Sequence, residues 1–366
     1  MNNTDFYQNH LDGVSRSFAF ILAQLEQPQR DYISLSYLLF RLIDTVEDSR
    51  LSPERKISIL GMLSQIFDEK NEGFFQRKGF EVKRQLESAE LNCNAAELAL
   101  IQQCDRLFTD YFKLPSEVKK IVSDSLVTMI CGMSEHIQIF SSTPVNLKTE
   151  SELNDYCFYV AGVVGEMLTR LMSFIHEKPE FIKASLKNAV QFGLYLQKVN
   201  ILKDKMEDAN REVVYSESEN ELIHSMLGNL LSANNYIKMI PNEWKDYKLF
   251  CLFSSGLGLM SLVQKVTAQQ LFKSRDDVKN FFFFLKEELN QKKDEDLFEY
   301  ILNFLKLKKL DIPFVSLEKY IAELRSSLPL TEAWKSHSTR YLRNKNYLGV
   351  MNQEQLSALF LNLTDA

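Results

Sequence analysis

Apolar residues recur along most of the chain at intervals of three and four. Phe18, Ile21, Leu22 and Leu25 fall at i, i+3, i+4 and i+7, which marks one apolar helix face, and Pro28 ends that run. The same spacing predicts helices over residues 31–48, 95–112, 116–140, 149–175, 179–209, 219–231 and, in the last third, from 236 to about 326. Ser52-Pro53-Glu54 reads as a further helix start, with Ser52 as N-cap and Pro53 in the first turn. Residues 141–147, with Pro144, and the polar stretch 210–220 read as loops. No repeat period, low-complexity block or linker divides the chain. The expectation is an all-α protein with one helical domain over 1–333 and a tail over 334–366. That tail begins basic (Lys335, Arg340, Arg343, Lys345) and ends in a short apolar helix.

Two of these helices break the usual pattern. A surface helix is polar over about half its girth. The 31–48 helix instead carries Leu35, Leu38, Leu39, Leu42, Ile43 and Val46 nearly all round, with one polar stripe of Tyr37, Arg41, Asp44, Glu47 and Asp48. The 179–209 helix repeats the plan: Gln197, Asn200, Asp204, Glu207 and Asp208 share a face, while Phe192, Leu194, Leu196, Val199, Ile201, Leu202 and Met206 cover much of the rest. Both helices therefore read as buried, with their stripes lining an interior space. Buried carboxylates are costly unless a cation neutralises them. Carboxylates spaced i, i+3, i+4 suit a hard cation such as Mg²⁺, which keeps waters and is commonly shared with substrate phosphates. The bland alternative is a solvated charge run, the reading given to Asp294-Glu295-Asp296 beside Lys292 and Lys293. A single Asp-x-x-Glu-Asp among 49 acidic residues decides nothing. The same spelling on two otherwise apolar helices favours the metal-diphosphate site.

Composition narrows the class. Only 12 Gly and 8 Pro in 366 residues is poor in turn formers and favours long helices. A net charge of −6 argues against a nucleic-acid partner. The five cysteines form no Cys-x-x-Cys pair, so a reducing, cytoplasmic setting is expected, and the five histidines form no metal-binding pattern. The N-terminus lacks the features of a signal peptide. The apolar stretch over 249–263 is too short to span a bilayer, so no transmembrane anchor is expected.

Three segments carry a family resemblance. Val14-Ser15-Arg16-Ser17-Phe18 followed by Tyr37-x-x-x-Arg41-x-x-Asp44-Thr45-Val46-Glu47-Asp48, the run from Tyr156 to Gly165, and Gln197-Lys198-Val199-Asn200-Ile201-Leu202-Lys203-Asp204-x-x-Glu207-Asp208 resemble, in order and spacing, the signatures of squalene and phytoene synthases. The resemblance covers about 15–208 and fades afterwards. It implies a single-domain isoprenoid-synthase helical bundle around a deep central cavity, and the condensation of two allylic diphosphates head to head. Carried over by position, Asp44, Glu47, Asp48, Asp204, Glu207 and Asp208 would bind Mg²⁺. Ser15, Arg16, Ser17, Tyr37, Arg41 and Lys203 would meet diphosphate or its metals. Tyr156 would serve the first half-reaction, and Gln197 and Asn200 would line the site. Val160, Ala161, Val164, Gly165 and Leu168 would wall the prenyl channel, with Phe18 as an aromatic neighbour whose alternative role is core packing. For Tyr156 the alternative is an ordinary buried tyrosine, and for Gly162 and Gly165 it is close helix packing.

The chain departs from the family pattern at three places. Lys203 stands where the family usually has arginine, which replaces a bidentate grip with a point charge. The stretch from Asn210 to Tyr215 is spelled differently, so Arg211 has no clear counterpart. No basic NADPH patch is recognisable, and Lys273, Arg275 and Lys279 are the nearest basic residues. The leading expectation is a squalene synthase using farnesyl diphosphate, Mg²⁺ and NADPH, cytoplasmic with room for peripheral membrane contact to its lipid product. The alternatives are an NADPH-independent dehydrosqualene- or phytoene-type synthase, a non-catalytic assembly factor, and a terpene cyclase, which the second Asp-x-x-Glu-Asp disfavours.

Overall fold

Helix starts in this chain are set by local chemistry. Asn94 accepts hydrogen bonds from the N–H groups of Ala96 and Glu97, and the Glu97 carboxylate reaches back to the Asn94 N–H. Thr149 and Glu152 form the same reciprocal pair at a second start. Each satisfies two backbone donors that a helix end leaves orphaned. Ser52 accepts from the Arg55 N–H, as the Ser-Pro-Glu spelling predicts.

The computed structural model describes residues 3–308 except 69–71, 90, 92, 141–144, 148, 211–212, 216–218, 269 and 292–296. The side chains of Arg16, Ser17, Glu207 and Asp208, residue Arg211, the acidic run 294–296 and the tail 334–366 lie outside the described set. Among the described residues, fifteen α-helices follow one another: α1 (Asn3–Val14), α2 (Arg16–Leu22), α3 (Gln29–Glu47), α4 (Pro53–Asp68), α5 (Glu72–Ser88), α6 (Ala95–Gln102), α7 (Cys104–Phe112), α8 (Ser116–Phe140), α9 (Glu150–Cys157), α10 (Val163–Ile175), α11 (Pro179–Asn210), α12 (Glu219–Met239), α13 (Lys245–Thr267), α14 (Arg275–Gln291) and α15 (Leu297–Leu307). A π-helical turn over Phe158–Gly162 joins α9 to α10 without a break.

The all-α expectation holds, with one addition. Two-residue strands β1 (Val145–Asn146) and β2 (Val213–Val214) pair in parallel, Val145 opposite Val213, and tie together the two segments expected to be loops. Other boundaries differ in detail. The expected 95–112 helix is two helices that meet at Gln103, whose backbone (φ −112°, ψ 11°) leaves the helical region. The expected 236–326 stretch resolves, within the described residues, into the end of α12 and then α13, α14 and α15.

The core runs through the middle of the bundle. Helix α10 is buried on nearly every side, from Val163 to Ser173, and packs on α8 and α11. Helix α11 packs in turn on α12 and α13. By length and composition the run Glu150–Ile175 is apolar enough to cross a membrane, which the sequence reading, focused on 249–263, does not anticipate. In this fold that run is the central helix of the bundle and 72% of its most apolar window is buried.

Candidate active site

A cavity of about 440 Å³ opens between α2, α3, α10, α11 and α13. Ser15, Phe18, Tyr37, Arg41 and Asp44 form its wall on the α2–α3 side. Gln197, Asn200, Lys203 and Asp204 form it on α11, and Val160, Ala161, Val164, Gly165 and Leu168 supply the π-turn and α10 side. Fourteen residues predicted from three separate sequence segments thus meet around one space.

Asp44 is the most informative of them. It is half-buried, and its Oδ1 is enclosed without a hydrogen-bond partner. Burial pushes its carboxyl up to about 7; Arg41 opposes this, while Asp48 and Glu97 add to it. Arg41, one turn earlier, donates from Nη2 to Glu97 Oε1. Its Nε is buried and unpaired. Burial works against the guanidinium charge, but Asp44 and Glu97 outweigh it and hold the group above its ordinary value. Tyr37 hydrogen-bonds the Ser15 side chain and stacks on Phe18 at 5.5 Å between ring centroids.

Tyr156, Glu47 and Asp48 form a neighbouring group beside that wall. The Tyr156 hydroxyl lies 3.0 Å from the Tyr215 hydroxyl, and the rings stack at 4.8 Å. Burial holds the Tyr156 phenol well above its ordinary range, and Tyr215, Glu47 and Asp48 add to the shift, so it remains a neutral hydroxyl. Asp48 is exposed and Glu47 is half-buried. Asp204 is exposed at the cavity mouth. Among the described residues, no three acidic, His or Cys groups gather closely enough to hold a metal between them. The donor set still suits a hard cation shared with a ligand: all the carboxylates offer oxygen, and Asp44 Oδ1 lacks a protein partner.

Several neighbours escape sequence reasoning. Glu97, Phe250 and Ser254 belong to no quoted motif and Tyr215 ends the stretch whose spelling departs from the family, yet Phe250 and Ser254 line the cavity and the other two hold residues beside it. Lys198 does fall inside a motif, although its role is hidden there. Its ammonium is fully buried and donates to Asn154 Oδ1, to Ser225 Oγ at 2.6 Å and to Asn229 Oδ1 at 2.6 Å, pinning α11 to α9 and α12. Burial pushes it down to about 8, with Cys157 and Glu150 opposing. A more open hollow of about 660 Å³ adjoins the cavity, sharing Val199, Lys203, Gly258 and Ser261.

These features define an all-helical protein built around an apolar cavity whose rim carries carboxylates, an arginine and a lysine. The family model for squalene/phytoene synthase matches residues 11–216, and the chain belongs to that family. Squalene synthases from Nicotiana benthamiana and Dictyostelium discoideum are 32% and 30% identical to it over 211 and 216 residues, or 57% and 59% of this chain and 45% and 47% of theirs. The Homo sapiens squalene synthase is 25% identical over 290 residues, 72% of this chain and 64% of the relative. In each alignment this chain spans less than two thirds of the relative's length. The solved structure of TcSQS with the ligand BPH1237 superposes with a TM-score of 0.67 at 20% identity, covering 89% of this chain and 99% of that one, and so shares the fold.

Proposed function

We propose that the protein condenses two molecules of farnesyl diphosphate head to head, giving presqualene diphosphate and inorganic diphosphate. It would then rearrange and reduce that product with NADPH to squalene, NADP⁺ and a second diphosphate. The observation that carries this reading is that Asp44 and Asp204, one from each stripe, line one largely apolar cavity. The relatives named as squalene synthases support the choice of product.

Asp44, Glu47, Asp48, Asp204, Glu207 and Asp208 would hold Mg²⁺. When bound, Mg²⁺ draws negative charge from a leaving diphosphate and eases C–O ionisation. The protein's own groups would do the rest. Arg41, Lys203, Ser15, Arg16 and Ser17 would grip diphosphate oxygens, Arg41 through its unpaired Nε edge. Gln197 and Asn200 would orient that group from α11. Val160, Ala161, Val164, Gly165 and Leu168 would enclose the prenyl chain and exclude water from an allylic cation. The faces of Phe18 and Tyr37 would stabilise positive charge. Tyr156 would act as a neutral hydroxyl, held by Tyr215.

The test is product identity. Purified protein with farnesyl diphosphate and Mg²⁺ should yield presqualene diphosphate alone and squalene once NADPH is added, read by mass spectrometry. A dehydrosqualene product made without NADPH would replace the reductive half of the proposal. Absence of turnover with intact fold would remove it entirely.

A further inference from the structure

We infer that Glu97, on α6 and outside every motif, is a positioning residue that holds Arg41 off Asp44 so that both face the substrate diphosphate. This rests on the reading of the cavity as a prenyl diphosphate site.

The geometry is specific. Glu97 stands at the third position of α6, 56 residues along the chain from Arg41. One carboxylate oxygen, Oε2, accepts the Asn94 N–H at 3.0 Å in the capping box. The other, Oε1, accepts from Arg41 Nη2. The Glu97 side chain is only 11% exposed, so both its ends are committed and its rotamer is fixed. Arg41 is thereby held by one terminal nitrogen. Its Nε stays enclosed and unpaired, and so does Oδ1 of Asp44 one helical turn later. An arginine and an aspartate at i and i+3 are natural partners on a helix. Without a competing carboxylate, the Arg41 fork would fold onto Asp44. A self-paired couple would offer a diphosphate neither a planar fork of donors nor a free oxygen ligand. Glu97 prevents this from a helix that the capping box holds in register.

The informative variant is Glu97→Gln. Glutamine also serves at the third position of a capping box, so the α6 start and the fold are kept while the negative charge that residue 97 presents to Arg41 is lost. Arg41→Met and the double variant complete a cycle, all in the full chain. Two readouts are used: direct calorimetric binding of inorganic diphosphate with Mg²⁺, and KM and kcat for farnesyl diphosphate. We expect E97Q to weaken diphosphate binding and raise KM about tenfold, the scale of a charge-assisted hydrogen bond, with kcat changed far less. In the Arg41→Met background the same substitution should do nothing further, because its effect passes through Arg41. Equal effects in both backgrounds, or an unchanged KM in E97Q, would overturn the inference. A purely structural Glu97 would instead lower the urea midpoint equally in both backgrounds and leave KM alone. If the wild-type chain neither binds diphosphate nor turns over farnesyl diphosphate, the parent reading fails first and the inference falls with it.

Discussion

Asp44 carries its carboxyl near 7 because burial removes water and Asp48 and Glu97 stand close, with Arg41 only partly compensating. The sign of the consequence follows from linkage. A carboxyl whose folded pKa is raised binds a proton in the folded chain that the unfolded chain lacks, so its contribution to stability is fullest at low pH and is lost as pH rises through about 7. A cation on the ionised oxygen reverses that loss, while below about 7 it must displace the proton, at about tenfold in apparent affinity per pH unit. Mg²⁺ with inorganic diphosphate should therefore raise the thermal midpoint more at pH 8 than at pH 6. Equal shifts at both pH values would exclude Asp44 as a ligand. At this scale the readable residues are those whose chemistry contradicts their surroundings: carboxylates on helices otherwise made of Leu, Ile and Val. Glu97 and Phe250 are unreadable because each is unremarkable where it stands, and Tyr215 because its stretch departs from the family spelling. Glu97 looks like a capping glutamate, which it also is, and its second bond depends on how α6 packs beside α3. Lys198 is hidden inside a motif: nothing in the spacing distinguishes its ammonium, which the bundle encloses, from that of Lys203 nearby, which is exposed.

The elements were readable where periodicity is long and clean, as in α3, α8 and α11, and less so where charge or glycine interrupts it, as in α5. Tertiary approach is what spacing cannot supply. The predicted 149–175 helix forms, but a π turn over Phe158–Gly162 rotates its second half, and that half meets α11 along glycines. A Cβ on Gly165 would come within 2.1 Å of the Ala189 carbonyl oxygen, and one on Gly193 within 2.1 Å of the Ala161 carbonyl oxygen. Backbone meets backbone here, so no side-chain rotation relieves the clash. The two readings of Gly165 are compatible, since it also lines the cavity. Gly228, on α12, has nothing within 4 Å of its would-be Cβ. Gly165→Ala should thus destabilise by about 2–3 kcal/mol through forced overpacking. Gly228→Ala should stabilise by roughly 0.5–1 kcal/mol through reduced unfolded-state freedom. Urea denaturation of the pair checks both signs, and a neutral Gly165→Ala would show that α10 and α11 can part without cost.

At the scale of the whole molecule, the proposed function gives the bundle the task of setting a length. On the proposed reading the carboxylate rim would meet the diphosphate end, and what lies opposite would decide how long a chain fits. An aromatic series leads inward from the rim: Tyr37 stacks on Phe18, Phe18 meets Phe250 edge-on at 6.2 Å, and Phe250 stacks on Tyr247 at 6.1 Å. Phe250 is 2% exposed and lines the cavity, so its ring is both core and wall. It comes from α13, beyond the 11–216 segment that the family model matches, so the motifs within that segment need not carry the same limit. Truncating it to alanine would remove a whole ring from the core at about 3–5 kcal/mol. Leucine keeps much of the burial while clearing the ring's far end. Phe250→Leu should therefore raise kcat/KM for a C20 prenyl diphosphate relative to the C15 substrate by about tenfold, the scale on which an apolar pocket discriminates small length differences. Competition between farnesyl and geranylgeranyl diphosphate, with products weighed by mass spectrometry, measures that ratio directly. An unchanged ratio in a folded variant would mean that the chain turns away before reaching α13, and that the length limit belongs to the π turn and α10 instead.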